Sequence, residues 1–278
     1  MFSNRKLLIA TQHGKEKVMA PLLTTHLQVH CHLAEHFDTD TLGTFTGEIE
    51  RKDNPMATLR KKCKQAMALY NETLCIASEG SFGPHPQAFF LAADEELVLL
   101  TDTQHHLEIF GHALSTETNF SAATLYDEDE LWAFASQALF PSHALILRNS
   151  ANGFDRMVKG ITDKPILLKT FNLIKHEFGS VYAETDMRAC YNPSRMKVIE
   201  QAVKNLISNC KSCCPQCNAP GFAATAVIKG LPCNWCGNKT ESVMAHVYTC
   251  HQCNHKEEKY FPHGKTTEDP TYCNCCNP

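Results

Sequence analysis

Short apolar runs alternate with stretches of helical period over roughly the first two hundred residues. Lys6–Ala10 is an apolar run that predicts a strand, and the polar turn from Thr11 to Glu16 leads into Val18, Leu22 and Leu23 at helical spacing. Pro21 falls inside that pattern, so the helix is expected to start late or kink. Residues 29–33 predict a second strand, and residues 37–53 are polar and threonine-rich. Asn54-Pro55 is a helix start, with Asn as cap and Pro in the first turn. Met56, Leu59, Cys63, Ala66, Met67 and Tyr70 then mark the inward face, leaving Arg60, Lys61, Lys62 and Lys64 as a solvated face. Residues 74–77 read as a buried strand running out at Glu79 into a stiff loop bent by Gly80, Gly83, Pro84 and Pro86.

Three further runs, at 88–92, 95–101 and 107–113, predict antiparallel strands. Asp127 and Glu130 open a helix with a capping-box pattern, and Pro141 ends it. A strand is expected at 143–147 and a loop at 149–164. Asp163 and Pro165 start a helix that Gly179 stops, a strand follows at 180–184, and Asn192-Pro193 starts a last helix with Met196, Ile199, Val203 and Leu206 on one face. Helical crossovers around an antiparallel insert predict an α/β domain over residues 1–209, a mixed sheet flanked by helices.

The last stretch, residues 210–278, breaks this pattern. It carries four knuckles, Cys214/Cys217, Cys233/Cys236, Cys250/Cys253 and Cys273/Cys276. Each tight Cys-x-x-Cys turn supplies two thiolates, so the four make two closed Cys₄ sites for two structural zinc ions in a small zinc-ribbon-like module. A segment with so few large apolar residues needs its metals to fold. Spacing does not fix which knuckles pair. The shorter gaps lean towards neighbours, first with second and third with fourth, with crossed and nested pairings open. Cys213 and Cys275 adjoin ligands and could replace Cys214 and Cys273 in register; His246, His251, His255 and His263 are not needed.

Composition narrows the classes. Apolar residues are 43% of 278, enough for a core, and the net charge of −4 disfavours a nucleic-acid coat. The apolar run after Arg5-Lys6 is too short for a signal segment and no window matches a membrane span, so a cytoplasmic protein without membrane contact is expected. Regular thiol pairs in such a compartment fit metal better than disulfides.

Nearly the whole chain resembles a bacterial family known only as a domain of unknown function. The resemblance rests on residues 10–16, 43–49, 77–86, 114–120, 184–189, 192–196 and 230–237, the last being Gly-Leu-Pro-Cys-Asn-Trp-Cys-Gly. The first two hundred or so residues also resemble the inosine-triphosphate pyrophosphatase fold. Thr11 to Lys15 is similar to its Thr-x-x-x-x-Lys-type turn, one residue shorter, and Ser78-Glu79-Gly80-Ser81 stands where that family has Asp-Asp-Ser-Gly. Asp186-Met187-Arg188 partly matches its late Ser-His-Arg motif. One paired acid is Ser78 here, Glu48 lies well upstream of its helix, and the late His is missing.

This second resemblance implies a Mg²⁺-dependent nucleoside triphosphate pyrophosphatase-like hydrolase. Glu48 and Glu79 would hold Mg²⁺, with Glu79 orienting water and Asp186 and His13 as further catalytic groups. Thr11, Lys15, Lys159, Arg188 and Arg195 would bind phosphate. The alternative is a non-catalytic binder of a nucleotide or another phosphate-bearing small molecule, whose zinc module docks a protein or nucleic acid.

Overall fold

The computed structural model describes residues 1–37, 54–86 and 88–278. Contacts divide the chain into two units, Met1–Ile207 and Ser208–Pro278. The first begins with β1 (Lys6–Ala10), α1 (Glu16–Leu27) and β2 (His30–Leu33), followed by α2 (Pro55–Tyr70). Helix α1 begins at Glu16 and contains Pro21, so the expected late start does not occur. Asn54 caps α2 by accepting from Ala57 N, as its sequence predicts.

The meander β3 (Leu74–Pro84), β4 (Ala92–Asp102) and β5 (Leu107–Ser115) completes a five-stranded sheet ordered β2-β1-β3-β4-β5. The pairs β2/β1 and β1/β3 are parallel, and β3/β4 and β4/β5 antiparallel. Leu59, Cys63, Ala66 and Met67 of α2 pack on Leu8, Ala10, Cys75, Ala77 and Leu99 on one face. Each large apolar side chain buried there contributes about 1.5–3 kcal/mol. Residues 78–84 are not a loop. Every residue of β3 is matched with β4, from Leu74↔Asp102 to Pro84↔Ala92; Gly80 serves close packing within the strand, and a Cβ at Gly83 would meet nothing within 4 Å.

The second half forms a separate sheet rather than extending the first. Its strands are β6 (Ala122–Leu125), β7 (Leu145–Arg148), β8 (Met157–Ile161) and β9 (Val181–Thr185), ordered β6-β9-β7-β8 and all antiparallel. Its core joins Leu131 and Phe134 of α3 (Glu128–Gln137) and Leu167, Phe171 and Ile174 of α4 (Lys164–Phe178) to Leu145, Leu147, Val181 and Ala183. Strand β8 occupies part of the expected loop. The last helix is α5 (Pro193–Lys211). No helix among the described residues is long and apolar enough to cross a membrane.

In the second unit, β10 (Ala223–Lys229), β11 (Val243–Thr249) and β12 (Lys256–Tyr260) form an antiparallel sheet in sequence order. Its apolar centre is small, with Phe222 against Ala219, Tyr248 and three of the cysteines, Cys214, Cys250 and Cys253.

Candidate functional site

Strand alternation at residues 78–82 decides the geometry of the first unit. Ser78, Gly80 and Phe82 share one face of β3; Glu79 points to the other. On the first face, Lys15 Nζ donates to Ser78 Oγ at 3.0 Å, and Thr11 Oγ1 lies 3.4 Å from the same hydroxyl. His13 and Gly14 have φ of 62° and 76°, which folds the β1–α1 turn back so that Lys15 lies buried beneath it. Arg195, in the first turn of α5, is 1% exposed. Its Nε donates to Glu96 Oε1 at 2.6 Å, its Nη1 donates to the Met187 carbonyl, and its guanidinium lies 5.1 Å from the Phe82 ring centroid. Glu96 sits directly opposite Gly80, with Asp94 two residues before it on the same face. On the α2 face, Glu79 Oε1 pairs with Lys62 Nζ at 2.6 Å, both side chains 9% exposed.

Three cations and three carboxylates are thus buried about the middle of β3. Isolated buried charge is costly, and such groups persist where they are paired or functional. Burial, then the charge of Arg195, lowers the Lys15 pKa to about 7. Burial, then Glu96, raises Asp94 to about 8. Asp94 Oδ1 and Glu96 Oε2 are buried and have no hydrogen-bond partner among the described residues.

The structure brings together Thr11, Lys15 and Arg195 of the expected site. Glu79 lies across the sheet from Ser78, locked to Lys62. Asp186 is fully buried and accepts from Arg188 Nε at 3.0 Å, Arg188 Nη2 at 2.6 Å and Gly160 N at 3.0 Å. It braces β8 and the approach to α5. Arg188 also lies over the Tyr191 ring. Lys159 lies on β8, where its charge acts on Glu184 of the four-stranded sheet. His13 is half-buried in its turn. Glu48 lies outside the described residues.

Lys62, Asp94 and Glu96 were missed. Lys62, read as solvated, is three residues after Leu59 and four before Ala66, at the edge of the buried stripe. Asp94 and Glu96 share the two-residue period of Val98 and Leu100, which puts them on a buried face once β4 is recognised.

The second unit brings its thiols together in two groups. Cys214, Cys217, Cys250 and Cys253 form one, and Cys233, Cys236, Cys273 and Cys276 the other. Sulfur separations include 3.5 Å for Cys217–Cys250, 3.7 Å for Cys214–Cys253, 3.6 Å for Cys236–Cys273 and 3.9 Å for Cys233–Cys276. A tetrahedron with Zn–S of about 2.3 Å has edges of roughly 3.8 Å, so both groups can hold zinc. The backbone N–H of Cys275 leads in lowering the Cys273 thiol to about 7, whereas its neighbour Cys236 raises Cys276 to about 12. Thiols this close resist ionising together unless a cation sits between them.

The neighbour pairing is overturned: first knuckle joins third, and second joins fourth. The β10–β11 hairpin sets Ala223 opposite Thr249, which brings the first and third knuckles to one end of the sheet. Strand β12 runs back along β11, and Cys233 bridges to Glu268, which brings the fourth knuckle to the second. Cys213 and Cys275 are exposed and belong to neither group.

A family model described as a domain of unknown function, DUF6671, matches residues 62–278. No curated protein matches the chain.

Proposed function

We propose, for a chain that belongs to the DUF6671 family and takes no assigned activity from it, that the first unit hydrolyses a nucleotide phosphate with a divalent metal. The reading is supported by the buried Lys15–Ser78 contact beside Arg195 and two carboxylates. It accords with the resemblance of this region to inosine-triphosphate pyrophosphatase. Phosphate hydrolysis needs positioning and charge stabilisation more than covalent chemistry by the protein.

Lys15, Thr11 and Ser78 supply a cation and two hydroxyls at the carboxyl end of β1, where open α/β sheets take ligands. Arg195 is enclosed by Glu96 and the Met187 carbonyl, so it positions Glu96 and adds positive potential. The unpartnered oxygens of Asp94 and Glu96 fit a hard cation such as Mg²⁺. When bound, that ion neutralises charge developing on the phosphoryl oxygens. Lys62 fixes the Glu79 carboxylate on the far face, where it can orient water only for a ligand reaching round the sheet end.

The commitment of Glu79 to Lys62 favours a second reading: a phosphate-bearing ligand is bound without turnover. In either case the zinc module is assigned to docking a protein or nucleic acid. Trp235, on the second knuckle, is 80% exposed and Tyr272 is 66% exposed.

The test is a turnover panel of standard and deaminated nucleoside triphosphates with Mg²⁺ or Mn²⁺, following pyrophosphate and phosphate separately. Lys15→Met and Glu96→Gln are each expected to lower pyrophosphate release by about 100-fold or more. Glu79→Gln reports whether the far-face carboxylate takes part. Binding of the same nucleotides without release of either product would establish the second reading.

A further inference from the structure

The loop before β7 and the first turn of α5 bring together a histidine and a serine used by neither the buried charges nor the cysteines. His143 is buried, with Nε2 2.9 Å from Ser194 Oγ and 3.3 Å from Ser194 N. A backbone N–H can only donate, so Nε2 presents its lone pair. The ring proton is then on Nδ1, which lies 3.0 Å from Ser142 Oγ. Ser142 in turn donates to the Leu139 carbonyl at 2.7 Å. These bonds fix one tautomer, and the Ser194 hydroxyl proton points at Nε2. Burial also lowers the His143 pKa below its ordinary value, which favours the neutral ring. Ser194 is half-buried and lines a cavity of about 370 Å³ that it shares with Leu114, Lys197, Val198 and Gln201.

We propose that Ser194 and His143 are the nucleophile and general base of a second catalytic site, which takes a carboxylic ester with a short acyl chain. A serine on a base that is itself held by a third group is the arrangement nucleophilic acyl transfer requires. Ser194 Oγ forms a bond to the acyl carbon as its proton passes to Nε2. The ester C–O bond breaks, and the proton leaves on the alcohol. Water then attacks the acyl-serine, giving its proton to Nε2; the acid is released and the proton returns to Ser194. Leu114 and Val198 supply an apolar wall for the acyl chain, and Lys197 and Glu117 place one charge of each sign on the lining of the same cavity. The proposal does not rest on nucleotide hydrolysis and shares no residue with the charge cluster.

The competing role for His143 is a cap on an otherwise orphaned N–H at the start of α5. Labelling of the full zinc-loaded chain with a fluorophosphonate separates the two, because an activated serine displaces fluoride from phosphorus. The expected result is one adduct on Ser194 by peptide mass spectrometry, absent in Ser194→Ala. It should form about 100-fold more slowly in His143→Gln, which keeps an acceptor for the N–H but removes the base. A folded wild-type chain with no adduct at Ser194, or His143→Gln labelling at the wild-type rate, overturns the proposal. If His143→Gln does not fold, p-nitrophenyl butyrate decides: hydrolysis lost in Ser194→Ala supports the site, and equal rates overturn it.

Discussion

An added Cβ at Gly80 would overlap Glu96 Oε1 and lie 2.5 Å from Arg195 Nη2. The missing side chain makes room for the fully buried ion pair between them. Gly80→Ala is expected to cost about 2 kcal/mol through overpacking, readable as a lower denaturant midpoint. Lys15 has the opposite expectation. Its folded pKa is about 7 against 10.5, so between those values the unfolded chain binds more protons and stability rises with pH. The burden of the charge is therefore full below about pH 7 and gone above roughly pH 10.5. Lys15→Met should stabilise by about 2 kcal/mol at pH 6, after allowance for the lost Ser78 bond, and should destabilise by about 1 kcal/mol near pH 10.5, where the charge burden is gone and only the lost bond remains. Chemical unfolding at several pH values measures this, and a gain independent of pH would remove Lys15 from the charge balance. Thr11, Lys15 and Arg195 were legible as polar residues at the ends of apolar runs. Lys62, Asp94 and Glu96 were not, because a charge beside other charges reads as solvated until the elements around it are packed.

At the scale of elements, sequence pattern performed best where the stabilising contact is local. Asn54, Asp127 and Asp163 each accept from a backbone N–H three residues on, as their positions predict. Asn54→Ala should cost about 1 kcal/mol, seen as a lower melting temperature with little change in circular dichroism. Pattern failed where partners are distant. Strand β3 continues past Glu79 because β4 supplies a full ladder, and β6, a four-residue segment without a strong alternation, exists because β9 pairs with it. Gly111 belongs to the same class: a Cβ there would overlap the Ala202 carbonyl and lie 2.5 Å from Leu206 N, which fixes how closely α5 approaches β5.

For the whole molecule, the interleaved cysteine groups give the clearest test. The chain should bind two zinc ions, one per group. Replacing Cys217 and Cys250 together disables one group and should leave one zinc by elemental analysis. Replacing Cys217 and Cys236 together disables both, and should leave none tightly held. Neighbour pairing would give the reverse pattern. Chelation should abolish the antiparallel sheet of the second unit, whose apolar centre is too small to hold it alone. Sequence by itself determined the helices and their caps, most of the strands, and six of the eight cysteines of the two groups, because each rests on residues a few positions apart. Only the tertiary structure decided that there are two sheets in the first unit, which knuckles come together, that Cys214 and Cys273 rather than Cys213 and Cys275 join the groups, and that Glu79 and Ser78 face opposite ways. It also placed Arg195 on Glu96 and Ser194 on His143. Those outcomes depend on strand register and helix packing between segments far apart in the chain, where one residue of slip turns every side chain to the other face.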